Sequence, residues 1–92
     1  MRARRIDGNQ VAIVNALRKA GVTVAVTSRL GGGFPDLVAS FAGKTVLLEV
    51  KDPSQAPSDR ALTPDEQRFH FTWQGTIGVV TTWQEAWDLL RR

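Results

Sequence analysis

The sequence predicts a mixed α/β domain: a four-stranded sheet flanked by helices, in the order helix, strand, strand, strand, helix, strand, helix. Three observations predict it. Two runs of β-branched and aliphatic residues, Asp36-Leu37-Val38-Ala39-Ser40-Phe41 and Thr45-Val46-Leu47-Leu48-Glu49-Val50, flank Ala42-Gly43 as the arms of a hairpin flank its turn. Thr63-Pro64-Asp65-Glu66 and Thr82-Trp83-Gln84-Glu85 each place a Thr cap three residues before a Glu, the mark of a helix start. A strand over 45–51, a helix over 64–74 and a strand over 76–81 make a βαβ unit, whose two strands run parallel with a right-handed crossover.

Each element has its own local reason. Asp7 opens an Asp-x-x-Gln string that reads as an N-cap with Gln10 reciprocating. Val11, Ile13, Val14, Leu17 and Ala20 then form an apolar stripe at helical spacing. Arg18 and Lys19 suit the negative end of the helix dipole, and Gly21 supplies the stop, giving a helix over residues 8–20. Val22 to Thr27 alternates and is β-branched, so it is a strand. Ser28-Arg29-Leu30 and three glycines form a loop into the hairpin, which opens at Pro35-Asp36, where a proline need not donate to the ladder. Asp52 to Arg60 has the composition of a mobile surface loop. The helix from Pro64 ends near Gln74, with Gly75 as its stop, and Phe69 and Trp73 on it read as core. Trp83, Ala86, Trp87 and Leu90 give the last helix its buried face.

Composition narrows the class of protein. A chain of 92 residues makes one small domain with a single core, and 42% apolar content is ordinary for a globular chain. No apolar run approaches about 18 residues, so no membrane span is expected. The basic start Met1-Arg2-Ala3-Arg4-Arg5 leads into polar sequence rather than a signal core. With no cysteine, disulfides and thiolate metal sites are excluded, and a reducing cytoplasm is the expected location. His70 is the only histidine, which argues against zinc. The net charge of +3 leans toward polyanions and equally serves solubility; arginine, whose planar fork suits phosphate, dominates the basic residues.

The hairpin carries the chemistry. If Ala42-Gly43 is a two-residue loop, opposed positions sum to 85 and Asp36 lies directly across from Glu49. A four-residue loop keeps that register; a three-residue loop shifts it by one and leaves Asp36 diagonal to Glu49. Side-chain alternation puts Asp36, Val38, Ser40, Thr45, Leu47, Glu49 and Lys51 on one face. Directly opposed Cβ atoms lie roughly 4.5–5.5 Å apart, a destabilising place for two like charges. A divalent cation between the carboxylates supplies a reason for the pairing, because Mg²⁺ prefers oxygen ligands and often takes one or two carboxylates plus water. Lys51 projects from the same face beside it.

Asp36 after Pro35, followed by Glu49-Val50-Lys51, resembles the PD-(D/E)XK nuclease motif. The wider string, from Asp7-Gly8-Asn9-Gln10 through Gly33-Phe34-Pro35-Asp36-Leu37 and Glu49-Val50-Lys51-Asp52 to Leu62-Thr63-Pro64, is similar to the small stand-alone VRR-NUC branch of that superfamily over nearly the whole chain. The resemblance implies a restriction-endonuclease-like core and a metal-dependent nuclease that hydrolyses DNA phosphodiester bonds with 5′-phosphate products. It implies Asp36, Glu49 and the carbonyl of Val50 as ligands of Mg²⁺, with Mn²⁺ able to substitute. Lys51 then orients or deprotonates the attacking water, or stabilises the transition state. Gln67 is carried over as the polar residue that approaches the site, and reads equally as a solvated helix residue. The family's first-helix Glu aligns with Ala12, so that ligand is absent; Asp7 and Gln10 are the nearby substitutes, and both already serve as caps. A one-metal or weakly two-metal site follows.

Gly31, Gly32 and Gly33 either let a nucleic-acid backbone approach closely or act as a flexible connector. Arg2, Arg4, Arg5, Arg29, Arg60 and Arg68 are candidate phosphate contacts, or simply surface. So small a domain is expected to pair as a homodimer, a form able to act on branched DNA or a four-way Holliday junction. The alternative is a catalytically weak or inactive nucleic-acid-binding module of the same fold; a purely structural protein is a third reading.

Overall fold

The computed structural model describes residues 8–92. Its elements, in chain order, are α1 (Gln10–Lys19), β1 (Thr23–Val26), β2 (Leu37–Phe41), β3 (Lys44–Val50), α2 (Pro57–Arg60), α3 (Pro64–Thr72), β4 (Thr76–Val80) and α4 (Trp83–Leu90). The sheet order is β1-β2-β3-β4, with β1, β2 and β3 antiparallel and β3 parallel to β4. This is the expected mixed sheet, with the parallel pair produced by the α3 crossover.

Phe41 pairs with Lys44 and Leu37 with Leu48, so the register sums to 85 throughout the hairpin. The turn is the two-residue kind: Ala42 and Gly43 both have positive φ, 51° and 83°, the pattern whose twist matches that of the flanking strands. β3 is interior and buried on both faces, from Val46 to Val50. One face carries Val46, Leu48 and Val50, which join Leu37, Ala39, Val24, Ile13, Val14, Leu17, Ala86 and Leu90 in the core under α1 and α4. Phe41 and Trp87 close the far end of that core at 4.9 Å between ring centroids. The opposite face carries Leu47, Glu49 and Lys51, and the first turn of α3 reaches over it.

Both Thr caps behave as expected. Thr63 and Thr82 accept from the backbone N–H of Glu66 and Glu85, and each Glu side chain accepts from its cap's N–H. Other local expectations are corrected. The N-cap of α1 is Asn9, which makes no side-chain cap bond; Asp7 lies outside the described residues. Gln10 does not cap the helix but is buried and donates to Ser28, and Val11 is 64% exposed. The 52–60 segment is more ordered than a plain loop: Asp52 Oδ1 accepts from Ser54 N and Oγ, and Pro57 starts the single turn of α2. α3 stops at Thr72, before the glycine, because Trp73 takes an extended conformation (φ −70°, ψ 128°) while the Thr72 hydroxyl donates to Arg68 and Phe69 carbonyls. Trp73 is 42% exposed and stacks on Phe69 instead of entering the core. Among the described residues no helix is long and apolar enough to cross a membrane.

Candidate active site

The site is built where β1, β2 and β3 end together. Backbone bonds set Asp36 first. Thr27 N donates to the Asp36 carbonyl at 2.7 Å, and the Thr27 hydroxyl donates to the Pro35 carbonyl at 2.8 Å. Behind them Gln10 Nε2 donates to Ser28 Oγ at 2.9 Å, and Ser28 Oγ donates to the Asp36 carbonyl at 3.4 Å. The Asp36 side chain then crosses to β3, where its Oδ2 accepts from Val50 N at 2.8 Å. Lys51 is fixed at its backbone by Val80, whose carbonyl accepts its N–H at 3.0 Å, and by Asn9, whose amide donates to the Lys51 and Thr81 carbonyls. Asn9 thus ties the start of α1 to the ends of both parallel strands.

Three acids and one ammonium meet in this corner, and all are buried: Asp36 5%, Glu49 2%, Glu66 5% and Lys51 8% exposed. Lys51 Nζ lies 3.1 Å from Glu66 Oε1 and 3.8 Å from Glu49 Oε2. Burial pushes Glu49 up to about 9, helped by its hydrogen bond to Asp36 and by the charges of Asp36 and Glu66; Lys51 opposes the rise. Burial also pushes Glu66 upward, but the Thr63 N–H and the Lys51 ammonium outweigh it and hold its carboxyl below the usual range. Among the described residues, this brings three carboxylates and one ammonium into one buried, oxygen-rich corner, where desolvation makes each charge costly.

That donor chemistry fits a hard divalent ion: two carboxylates at the paired strand ends, beside the β3 backbone at Val50. Among the described residues no three His, Cys, Asp or Glu side chains form a ready-made metal cage, so a bound ion would take its remaining positions from backbone, water and substrate.

The other sequence candidates are dispersed. Gln67 is exposed and its Nε2 donates to the Leu62 carbonyl at 3.1 Å; the α3 side chain that reaches Lys51 is Glu66, one residue earlier. Glu66 was legible only as a helix cap, although a capping-box carboxylate is by construction fixed at the helix N-terminus, the end that here overlies β3. Ala12 is exposed, while Gln10 is the α1 side chain directed toward the Asp36 end. Gly31 and Gly32 have open space where a Cβ would stand; Gly33, at φ +82°, is packed against the Asp65 carbonyl so tightly that a Cβ would collide with it. Arg29 and Arg60 are exposed, Arg68 pairs with Asp65 at 2.8 Å on the surface, and Arg4 and Arg5 lie outside the described residues. His70, one turn beyond Glu66, is held below its usual value mainly by burial, and its Nε2 is buried with no partner among the described residues.

With this geometry in place, the fold has a counterpart among solved structures. The chain is similar to one described as a VRR_NUC domain, over 90% of each chain, with a TM-score of 0.64 and 22% sequence identity. The fold is therefore VRR-NUC-like: a four-stranded mixed sheet flanked by helices. No protein-family model and no curated protein matches the sequence.

Proposed function

We propose that this chain is a metal-dependent nuclease that hydrolyses DNA phosphodiester bonds. The observation that carries the reading is the side-by-side placement of Asp36 and Glu49, buried together at the end of an apolar hairpin with Lys51 beside them. The Val50 N–H explains part of what holds Asp36 there, and a divalent ion with a phosphodiester would explain why a second carboxylate is set beside it. Asp36 and Glu49, with the Val50 carbonyl, would hold Mg²⁺ or Mn²⁺. When bound, the ion supplies Lewis-acid chemistry, acidifying water and neutralising charge on the scissile phosphate. Lys51 places a positive charge beside the reacting phosphate and orients the attacking water. Asn9, Thr27 and Ser28 hold the backbones of Asp36 and Lys51, so the acids and the ammonium keep their geometry as substrate arrives. A homodimer would present two such corners to branched or junction DNA.

One observation favours a second reading, a binding module with little or no catalysis. The α1 side chain directed at the Asp36 end is the neutral Gln10, so α1 brings no carboxylate there from among the described residues. Cleavage of single-strand, duplex, flap and four-way junction DNA with Mg²⁺ or Mn²⁺, with and without chelator, separates the two. Asp36→Ala is expected to lower cleavage by more than about 100-fold, beyond the usual cost of losing an outer-shell partner, while DNA binding persists. Salt-sensitive binding with no cutting under any divalent ion would make the binding module the correct reading.

A further inference from the structure

We propose that Glu66 is the positioning residue for Lys51, and that one carboxylate oxygen sets the start of α3 and the reactive end of β3 together. Its catalytic half rests on the nuclease reading; its structural half does not.

Glu66 Oε1 accepts from two donors, Thr63 N at 2.9 Å and Lys51 Nζ at 3.1 Å. The first bond closes the capping box of α3, and the second holds the ammonium. An amphipathic helix ordinarily docks through an apolar stripe. α3 does otherwise: its buried residue is Glu66, while Phe71 is 90% exposed and Trp73, just past its end, 42%. Its other contacts among the described residues include the Gly33 backbone against Asp65, the edge-to-face contact of Phe34 with Phe69 at 5.2 Å, and the partly buried His70. The helix is therefore held over the sheet in good part by the lysine it positions.

Seen from Lys51, the same bond is equally needed. Val80 and Asn9 fix its backbone but leave a flexible four-carbon stem, so partners choose where the ammonium sits. Glu49 is the more distant partner and a proposed metal ligand. Glu66 is the closer acid, and its geometry is set independently by the cap, which makes the ammonium's place a property of the fold.

The test uses Glu66→Gln, Thr82→Ala and Lys51→Met in the full chain. Glutamine keeps an oxygen for both donors and removes the charge. Steady-state cleavage with Mg²⁺ should show kcat of Glu66→Gln lowered about 10- to 100-fold, the usual cost of an outer-shell partner, at unchanged KM. Thr82→Ala loses the equivalent cap hydroxyl of α4, which accepts from Glu85 N away from the site, and should lower the melting temperature while leaving kcat alone. Wild-type kcat in Glu66→Gln overturns the positioning role, and so does an equal kcat loss in Thr82→Ala, which would trace both losses to general destabilisation. Hydrogen exchange supplies a readout that needs no activity: in Lys51→Met the amides of residues 67–72 should lose protection relative to those of β3. Unchanged protection overturns the coupling of helix and lysine. A wild-type chain that cuts nothing retires the nuclease reading, and the exchange measurement still decides the coupling.

Discussion

With Glu49 pushed up to about 9, chiefly by burial and then by Asp36, the folded chain keeps a proton that the unfolded chain gives up near 4.5. The raised value fixes the sign: this group's contribution to stability is fully present below 4.5 and is lost as pH rises toward 9. Thermal melts of the metal-free protein should therefore show a falling melting temperature across that window, and Glu49→Gln should flatten the slope. In the proposed site Mg²⁺ would replace that proton, so its stabilising effect should grow from pH 6 to pH 8; an ion effect independent of pH would place the binding elsewhere. Ala42 is a second residue with a measurable consequence. A non-glycine residue at φ 51° sits in the left-handed region, which costs roughly 1–2 kcal/mol for most residues. Asn-Gly is the preferred pair for such a turn, so Ala42→Asn should raise stability by about 0.5–1 kcal/mol in urea melts without moving the register.

At the scale of elements, the two capping boxes are alike in pattern and unlike in consequence. Thr82 and Glu85 close α4 at the surface, where Glu85 also accepts from Thr81 N and Oγ1, bonds that hold its carboxyl below the usual range. Nothing in the site depends on them. Thr82→Ala should cost about 1 kcal/mol, read from denaturant midpoints, with cleavage unchanged. In α3 the same motif delivers a carboxylate to a buried ammonium, so identical local chemistry becomes part of the site only through where the helix is placed.

The molecule as a whole is a small domain with one core, the α1–α4 side of the sheet, and a second face only partly covered. The corner of Asp36, Glu49, Lys51 and Glu66 lies on that second face, with α3 over one end and open space at Gly31 and Gly32. A domain of 92 residues has little surface with which to hold a duplex, and a two-fold pair would double it and set two corners in fixed relation. Light scattering coupled to size exclusion should give twice the chain mass at micromolar concentration, and junction cleavage should fall on dilution below the dimer's dissociation constant. A monomer that cuts junctions at full rate would remove the homodimer from the proposal.

Much of the fold was legible in the chain because its signals are local. Hairpin arms, turn, caps and βαβ spacing each follow from neighbours in sequence, and the register follows from the turn, so the pairing of Asp36 with Glu49 could be counted out by position. The misreadings share a cause. Gln10 and Glu66 both had a sufficient local explanation as caps, yet the bonds that set their roles reach Ser28, 18 residues on, and Lys51, 15 residues back. Trp73 fits a helical stripe by spacing, but the helix breaks first and the ring stays half in solvent. Sequence alone determined the strands and, for a two-residue loop, the hairpin register, since these depend on φ/ψ preference and side-chain alternation; the structure decided which loop forms. Only the tertiary structure decided which side chains surround the ammonium and how deeply the acids are buried, because burial and long-range ion pairing arise only when distant segments pack.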